Sequence, residues 1–167
     1  MVAARGLLRA EHLLKRPTMR IALFEPEIAG NVGAVLRLGA CMGVAVDLIE
    51  PMGFAWDDKR VRRTAMDYID HVEIARHTSF AAFRAARPDA RLVLMTTKAT
   101  TGLYDAVFAA DDILLFGKES AGVPDNVAAA AGLRLRIPAQ RQVRSFNLAT
   151  SAAIAIGEAL RQTGQLP

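Results

Sequence analysis

Five short apolar runs punctuate the chain: "IALF" (Ile21–Phe24), "VAVDLIE" (Val44–Glu50), "RLVLMTT" (Arg91–Thr97), "DILLFG" (Asp112–Gly117) and "LRLRIP" (Leu133–Pro138). Most are apolar at consecutive rather than alternate positions, the pattern of a strand covered on both faces. Between them the apolar residues recur at helical spacing and predict helices near Asn31–Met42, Asp57–Ile69, Ser79–Ala86, Pro124–Ala131 and Asn147–Gln162. Strands alternating with helices predict an α/β fold: a parallel sheet flanked by helices. Ligands of such sheets sit beyond the carboxyl ends of the strands, so the residues that follow each strand are where chemistry is expected.

No repeat, low-complexity tract or Pro/Gly/Ser linker breaks this pattern after Met19, so residues 19–167 are expected to form one domain. Residues 1–18 have three readings: a stretch translated from a start ahead of the true one at Met19, a short added helix, or an organelle-targeting signal, since they are rich in Arg and Leu and poor in acids. The first is favoured, because the first strand begins directly after Met19 and Pro17 separates what precedes it; a disordered extension is the expectation. No apolar run approaches the ~20 residues that span a bilayer. The lone Cys41 excludes an internal disulfide and a thiolate metal cluster, which leaves a cytoplasmic setting as the expectation. His12, His71 and His77 lack metal-ligand spacing, so no metal is expected.

The formal charge is +4, but Arg5, Arg9, Lys15 and Arg16 against Glu11 place three of those charges ahead of Met19. Global charge therefore says little about a polyanionic partner, and a local patch has to carry that argument. The candidate is "WDDKRVRRTAMDYID", where Val61, Ala65, Tyr68 and Ile69 form an apolar stripe flanked by Lys59, Arg60, Arg62 and Arg63. Such a run is either a solvated helix face or a clamp on a nucleic-acid backbone.

Three clusters follow strands. "EPEIAGNVGAVLRLGACMG" (Glu25–Gly43) lacks the G-x-G-x-x-G spacing of a dinucleotide site; Asn31 sits where an N-cap belongs, and Val32, Val35, Leu36 and Leu38 supply a helical stripe. Arg37 lies about 1.7 turns beyond Asn31 and reads either as a snorkelling side chain or as a functional one. "LLFGKESAGVPD" (Leu114–Asp125) fails the phosphate-loop pattern and the nucleophile-elbow pattern, and every histidine precedes Ser120, against the order of an α/β-hydrolase. What remains is a strand ending at Gly117, where a ligand could meet bare peptide groups, a tight turn at Gly122 and Pro124 opening a helix; the glycines could equally be turn formers. "RIPAQRQVRSFNLATSAAIAIGEALRQ" (Arg136–Gln162) carries Arg141 and Arg144 in a polar loop, then Ser145 and Asn147 at a helix start, more capping residues than one helix needs.

Together and in this order, "PEIAGNVGAVLRLGACMG", "LLFGKESAGVP" and "RIPAQRQVRSFNLATSAA" resemble the three motifs of the SPOUT superfamily of RNA methyltransferases, and within it the small wobble-nucleotide tRNA 2′-O-methyltransferases of the TrmL type. The resemblance covers Met19 to Gln162. It implies a C-terminal deep trefoil knot, an exception to the rule that chains avoid knots. It implies S-adenosylmethionine as cofactor, contacted by Met95, Gly117, Ile137 and Ser145 with Glu119 and Leu148 close by. It places Asn31, Arg37, Ser145 and Asn147 near the reacting groups, and makes Lys59, Arg60, Arg62, Arg63 and Arg144 the candidate RNA contacts. The implied reaction is methylation of the ribose 2′-OH at position 34, cytidine or modified uridine, in the anticodon stem-loop of tRNA by a homodimer. The alternatives are a SPOUT 2′-O-methyltransferase acting on another tRNA or rRNA site, and a noncatalytic RNA-binding protein of the same fold. The first motif departs from the common pattern at Val32 and Ala34, and the second at Lys118.

Overall fold

The computed structural model describes residues 18–57, 59, 61, 63, 66–142 and 145–167. In chain order these form β1 (Arg20–Phe24), α1 (Ala29–Met42), β2 (Ala45–Ile49), β3 (Ile74–His77), α2 (Phe80–Ala86), β4 (Leu92–Met95), β5 (Ile113–Phe116), α3 (Asp125–Ala129), β6 (Leu133–Leu135) and α4 (Leu148–Thr163). Short 3-10 turns lie at Met66–His71 and Leu103–Asp105. The strands form one six-stranded sheet in the order β3-β2-β1-β5-β4-β6, and every pairing is parallel.

The expected parallel α/β sheet is present, with one strand more than the apolar runs predict. β3 reads "IARH" and only His77 of it is buried, because it is an edge strand with one neighbour and needs no continuous apolar run. The helix expected at Asp57–Ile69 is only partly described: Lys59, Val61 and Arg63 are helical, but the segment that closes it is the 3-10 turn at Met66–His71.

Successive residues of each strand point to opposite faces and build two cores. Ile21, Leu23, Val46, Leu48, Leu114 and Phe116 pack under α1 and α4, whose Val32, Val35, Leu36, Ala152 and Ile156 are fully buried. Ala22, Phe24, Ile49, Leu94 and Leu115 pack on the other face against Phe83 of α2 and Val127 of α3. The small residues of α4 allow that helix to lie close against α1 and β5.

Two carboxylates are wholly buried and satisfied by cations. Asp47 in β2 accepts from Arg20 Nε at 2.6 Å and Arg87 Nη2 at 3.2 Å, and its Oδ1 lies 2.7 Å from His77 Nε2. Asp112 takes both arms of Arg91 at 2.7 Å and the Ala109 N–H at 2.8 Å. Donation to the Asp112 carboxylate holds the Arg91 guanidinium pKa above its ordinary value. The Arg91–Asp112 pair ties the amino ends of β4 and β5, the Asp47 group joins β1, β2 and β3 within the sheet, and none of these residues lines the cleft described next.

Candidate active site

The loops that leave β1, β4, β5 and β6, together with the start of α4, enclose a cleft of about 1020 Å³. That volume suits a small organic molecule with room at the mouth for a larger partner. The cleft lies at the carboxyl ends of the strands, as the sheet topology demands.

Its floor is the turn after β5. Lys118 and Gly122 exchange both backbone hydrogen bonds at 2.9 Å, and Gly122 closes the turn at φ 67°. Gly117 abuts this turn so closely that a Cβ there would lie 2.4 Å from the Gly122 carbonyl carbon and 2.6 Å from its Cα. The space a side chain would need is taken by backbone, so glycine at 117 is a packing requirement of the turn.

Glu119 projects from that turn into the amino terminus of α1. Its Oε2 accepts from the Glu27 N–H at 2.9 Å, and its Oε1 accepts from the Ile28 N–H at 3.3 Å and from Asn31 Nδ2 at 3.0 Å. The expected N-cap, Asn31, is therefore not the cap. α1 begins at Ala29, Ile28 precedes it without a side-chain cap, and a carboxylate from another loop accepts from the two N–H groups that lead into the helix. Asn31 is left free for other work, and its Oδ1 accepts from Asn147 Nδ2 at 2.9 Å. Asn147 does cap α4, as expected, with Oδ1 accepting from the Ala149 and Thr150 N–H groups. A single chain of hydrogen bonds thus runs from the loop after β5, through α1, to α4.

Two further ties lock the loop after β1 to the turn. Ser120 donates from Oγ at 2.7 Å and from its N–H at 2.8 Å to the Glu27 carboxylate, and these bonds hold the Glu27 pKa below the usual carboxylate range. Lys118 Nζ pairs with Glu25 Oε2 at 2.6 Å, and that bond raises the lysine pKa. Glu25 has a left-handed φ of 46°, an uncommon conformation for a non-glycine residue, which turns its carboxylate toward Lys118.

Met95, at the end of β4, and Leu148, at the start of α4, are nearly buried and line the cleft with Ile137, giving it an apolar wall beside the strand ends. Ser145 lines it from the loop ahead of α4. The structure therefore brings Asn31, Met95, Gly117, Glu119, Ile137, Ser145, Asn147 and Leu148 together. Arg37 does not line the cleft; it lies on the exposed side of α1 with its guanidinium 4.8 Å from the Tyr68 ring centroid. Lys59 and Arg63 are exposed and outside the cleft, while Arg60, Arg62 and Arg144 lie outside the described residues. Among the described residues, no group of three His, Cys, Asp or Glu could hold a metal ion.

The SpoU rRNA Methylase family matches residues 18–157. The tRNA (cytidine(34)-2'-O)-methyltransferase of Beijerinckia indica subsp. indica is 51% identical over 148 residues, covering 87% of this chain and 92% of that protein. The enzyme of the same name from Escherichia coli K12 is 40% identical, covering 87% of this chain and 94% of its own. A solved structure concerned with the 2-OH methylation of C/U34 on tRNA superposes with a TM-score of 0.82 at 40% identity, over 86% of this chain and 95% of that one.

The chain belongs to the SpoU methylase family.

Within a SpoU methylase cleft, Lys98 and Arg134 are two cations that the motif reading missed; both line the wall. Lys98 follows β4 by three residues, and the rule that ligands gather beyond carboxyl ends of strands could have marked it. Arg134 alternates outward along β6 and donates to the Ala128 carbonyl at 3.0 Å. The Glu25–Lys118 and Glu27–Ser120 ties had no signal, since their partners lie 93 positions apart in sequence in each case.

The hydrogen-bond chain makes a prediction. Glu119→Ala leaves three donors without their acceptor, and at half-buried charged hydrogen bonds this is expected to cost about 2 kcal/mol. The melting temperature should drop by about 4–8 °C, and methyl transfer should fall further than stability alone explains, because Asn31 loses its orientation. Calorimetric melting and an initial-rate assay on the same preparation check both parts.

Proposed function

We propose that this protein transfers a methyl group from S-adenosylmethionine to the ribose 2′-hydroxyl of the wobble nucleotide of tRNA, cytidine or modified uridine. The reading rests on one observation: the three loop clusters that carry the family motifs meet at one cleft, joined by the hydrogen bonds of Glu119, Asn31 and Asn147. The identity of 51% with a named tRNA (cytidine(34)-2'-O)-methyltransferase over nearly the whole domain supports the substrate.

The cleft fits the cofactor. Met95, Ile137 and Leu148 offer an apolar wall to a flat heterocycle, and peptide groups at the ends of β4 and β5 offer donors and acceptors beside it. When bound, S-adenosylmethionine supplies an electrophilic methyl group on a sulfonium. In-line displacement demands alignment above all, and the Asn31 and Asn147 amides, fixed by Glu119, suit the orientation of a ribose at the cleft mouth. Ser145 stands in the same wall as a further polar contact. Arg37, outside the cleft and against Tyr68, is placed to grip a phosphate of the RNA rather than to act on the ribose hydroxyl.

A knotted carboxyl-terminal region belongs to the same proposal and rests on membership of the family. The Thr96 N–H donates to Leu135 O at 2.8 Å, Arg136 N–H to Thr101 O at 3.0 Å and Leu103 N–H to Arg136 O at 2.9 Å. The loop 96–103 thus pairs with the chain leaving β6, and α4 packs beside α1. A homodimer supplies the RNA surface that so small a domain lacks, and the cytoplasm is the compartment of its substrate. Among the described residues no helix is long and apolar enough to cross a membrane.

Transfer of tritiated methyl from S-adenosylmethionine to unmodified tRNA transcripts, followed by mapping of the labelled nucleotide, tests the proposal. Label on the 2′-oxygen of nucleotide 34 is expected. Label elsewhere would favour another RNA site, and tight RNA binding without label would favour a noncatalytic protein. The segment after β2 adds a prediction: Lys59→Glu with Arg63→Glu should weaken tRNA binding and flatten its salt dependence by about 1.4–1.8 in log–log slope for two lost phosphate contacts. Cofactor affinity should be unchanged, as calorimetry can verify.

A further inference from the structure

We propose that Lys98, Tyr104 and Arg136 form a second RNA contact at the rim of the cleft, one that holds the single-stranded segment next to the nucleotide being methylated. The proposal rests on the tRNA-methylation reading and adds to it a site on the opposite flank from Lys59 and Arg63.

The case begins with charges that lack partners. Arg20, Arg76, Arg91, Lys118 and Arg161 are engaged by carboxylates, and Arg84 and Arg134 by backbone carbonyls. The side chains of Lys98 and Arg136 make no hydrogen bond or ion pair with any described residue, and both are exposed. They are neighbours through the backbone: Arg136 is bridged in parallel to Gly102, at the end of the same loop that carries Lys98. Arg136 extends the alternation of β6, in which Leu135 turns into the core and Arg134 turns out, so its side chain leaves the sheet on the side of Arg134, a residue of the cleft wall.

Tyr104 stands in the adjoining 3-10 turn and is 59% exposed. The turn itself is anchored, because Leu103 is fully buried and its N–H is held by Arg136. The ring is therefore presented to solvent on a fixed backbone rather than packed. The acidic groups nearby are Asp105, whose carboxylate folds back over Gly102, and Asp125 across the cleft; Arg141, exposed on the loop after β6, adds a positive charge. An exposed ring on the turn held by the Arg136 backbone, in the same loop region as two cations that have no partner among the described residues, offers a face for an unstacked base and donors for neighbouring phosphates. Double-stranded RNA offers no such base face, so the partner is single-stranded, as the loop around a wobble nucleotide is.

The test is fluorescence anisotropy of the full chain with a labelled anticodon stem-loop across a salt series. Tyr104→Ala should weaken binding about tenfold, the scale of one base–aromatic stack, and Tyr104→Phe should bind as wild type. Arg136→Ala should reduce the salt slope by about 0.7, and Lys98→Ala by about the same again. Tyr104→Ala and Arg136→Ala should keep wild-type affinity for S-adenosylhomocysteine and wild-type melting, which separates a surface role from a folding one. Variants that bind the stem-loop with wild-type affinity and slope would overturn the rim alone. Equal competition by a fully paired RNA duplex would overturn it as a single-strand contact. A wild-type chain that does not bind the stem-loop would overturn the rim together with the functional reading.

Discussion

Gly117→Ala is expected to abolish cofactor binding, with an affinity loss of at least about 100-fold, or roughly 2.7 kcal/mol. The added methyl would lie 2.4 Å from the Gly122 carbonyl carbon and 2.7 Å from its oxygen, distances that backbone cannot tolerate. A flexible neighbour could swing aside, but here the neighbour is the turn itself, pinned by two 2.9 Å backbone hydrogen bonds between Lys118 and Gly122. Relief must come from opening that turn, and opening it carries Glu119 away from Asn31 and moves the floor of the cleft. Calorimetric titration with S-adenosylhomocysteine measures the loss. Gly157→Ala, in α4, serves as control because its methyl meets nothing within 4 Å. Retention of wild-type affinity in Gly117→Ala would show that the turn is not part of the cofactor site.

Asp47→Ala is expected to cause the largest loss of stability, about 3–5 kcal/mol, because Arg87 loses the carboxylate it pairs with and Arg20 is left with Glu73 alone. Asp47 is fully buried in the middle of β2, and Arg20, Arg87 and His77 all converge on its two oxygens. Arg87 Nε is buried without a partner among the described residues, so this cluster already sits close to the limit of what its one carboxylate can satisfy. For a chain of this size the melting temperature should fall on the order of 10 °C. Scanning calorimetry checks it, and an unchanged melting temperature would mean that water replaces the carboxylate. Because the cluster lies away from the cleft, the folded fraction of Asp47→Ala should bind S-adenosylhomocysteine normally, in contrast to Gly117→Ala.

The elements legible in the sequence were those whose burial is local and uniform. β1, β4 and β5 lie inside the sheet, and their apolar runs reflect helices on both faces. The stripe of Val32, Val35 and Leu36 announced α1, and Asn147 announced the start of α4. β3 escaped because an edge strand of Ile74, Ala75, Arg76 and His77 is held chiefly by backbone pairing to β2, which any residue except proline can supply. The cap of α1 escaped for a related reason. A helix terminus needs an acceptor for its N–H groups but does not specify which part of the chain provides it, and Glu119 provides it from 91 positions beyond Ile28.

From residues alone come the alternation of strand and helix, the parallel sheet, the placing of chemistry beyond the strand ends, and three motifs specific enough in combination to point to a family. These follow from periodicity and residue type, which act over a few positions along the chain. The meeting of those motifs is different in kind: Asn31 touches Asn147 across 116 positions and Glu119 across 88. Such contacts depend on strand order, and burial patterns that place a strand inside the sheet are silent about which strand lies beside it. Folding is what set Arg37 against Tyr68 rather than in the cleft, closed the Gly117 position with backbone, and left Lys98 and Arg136 exposed without a partner among the described residues.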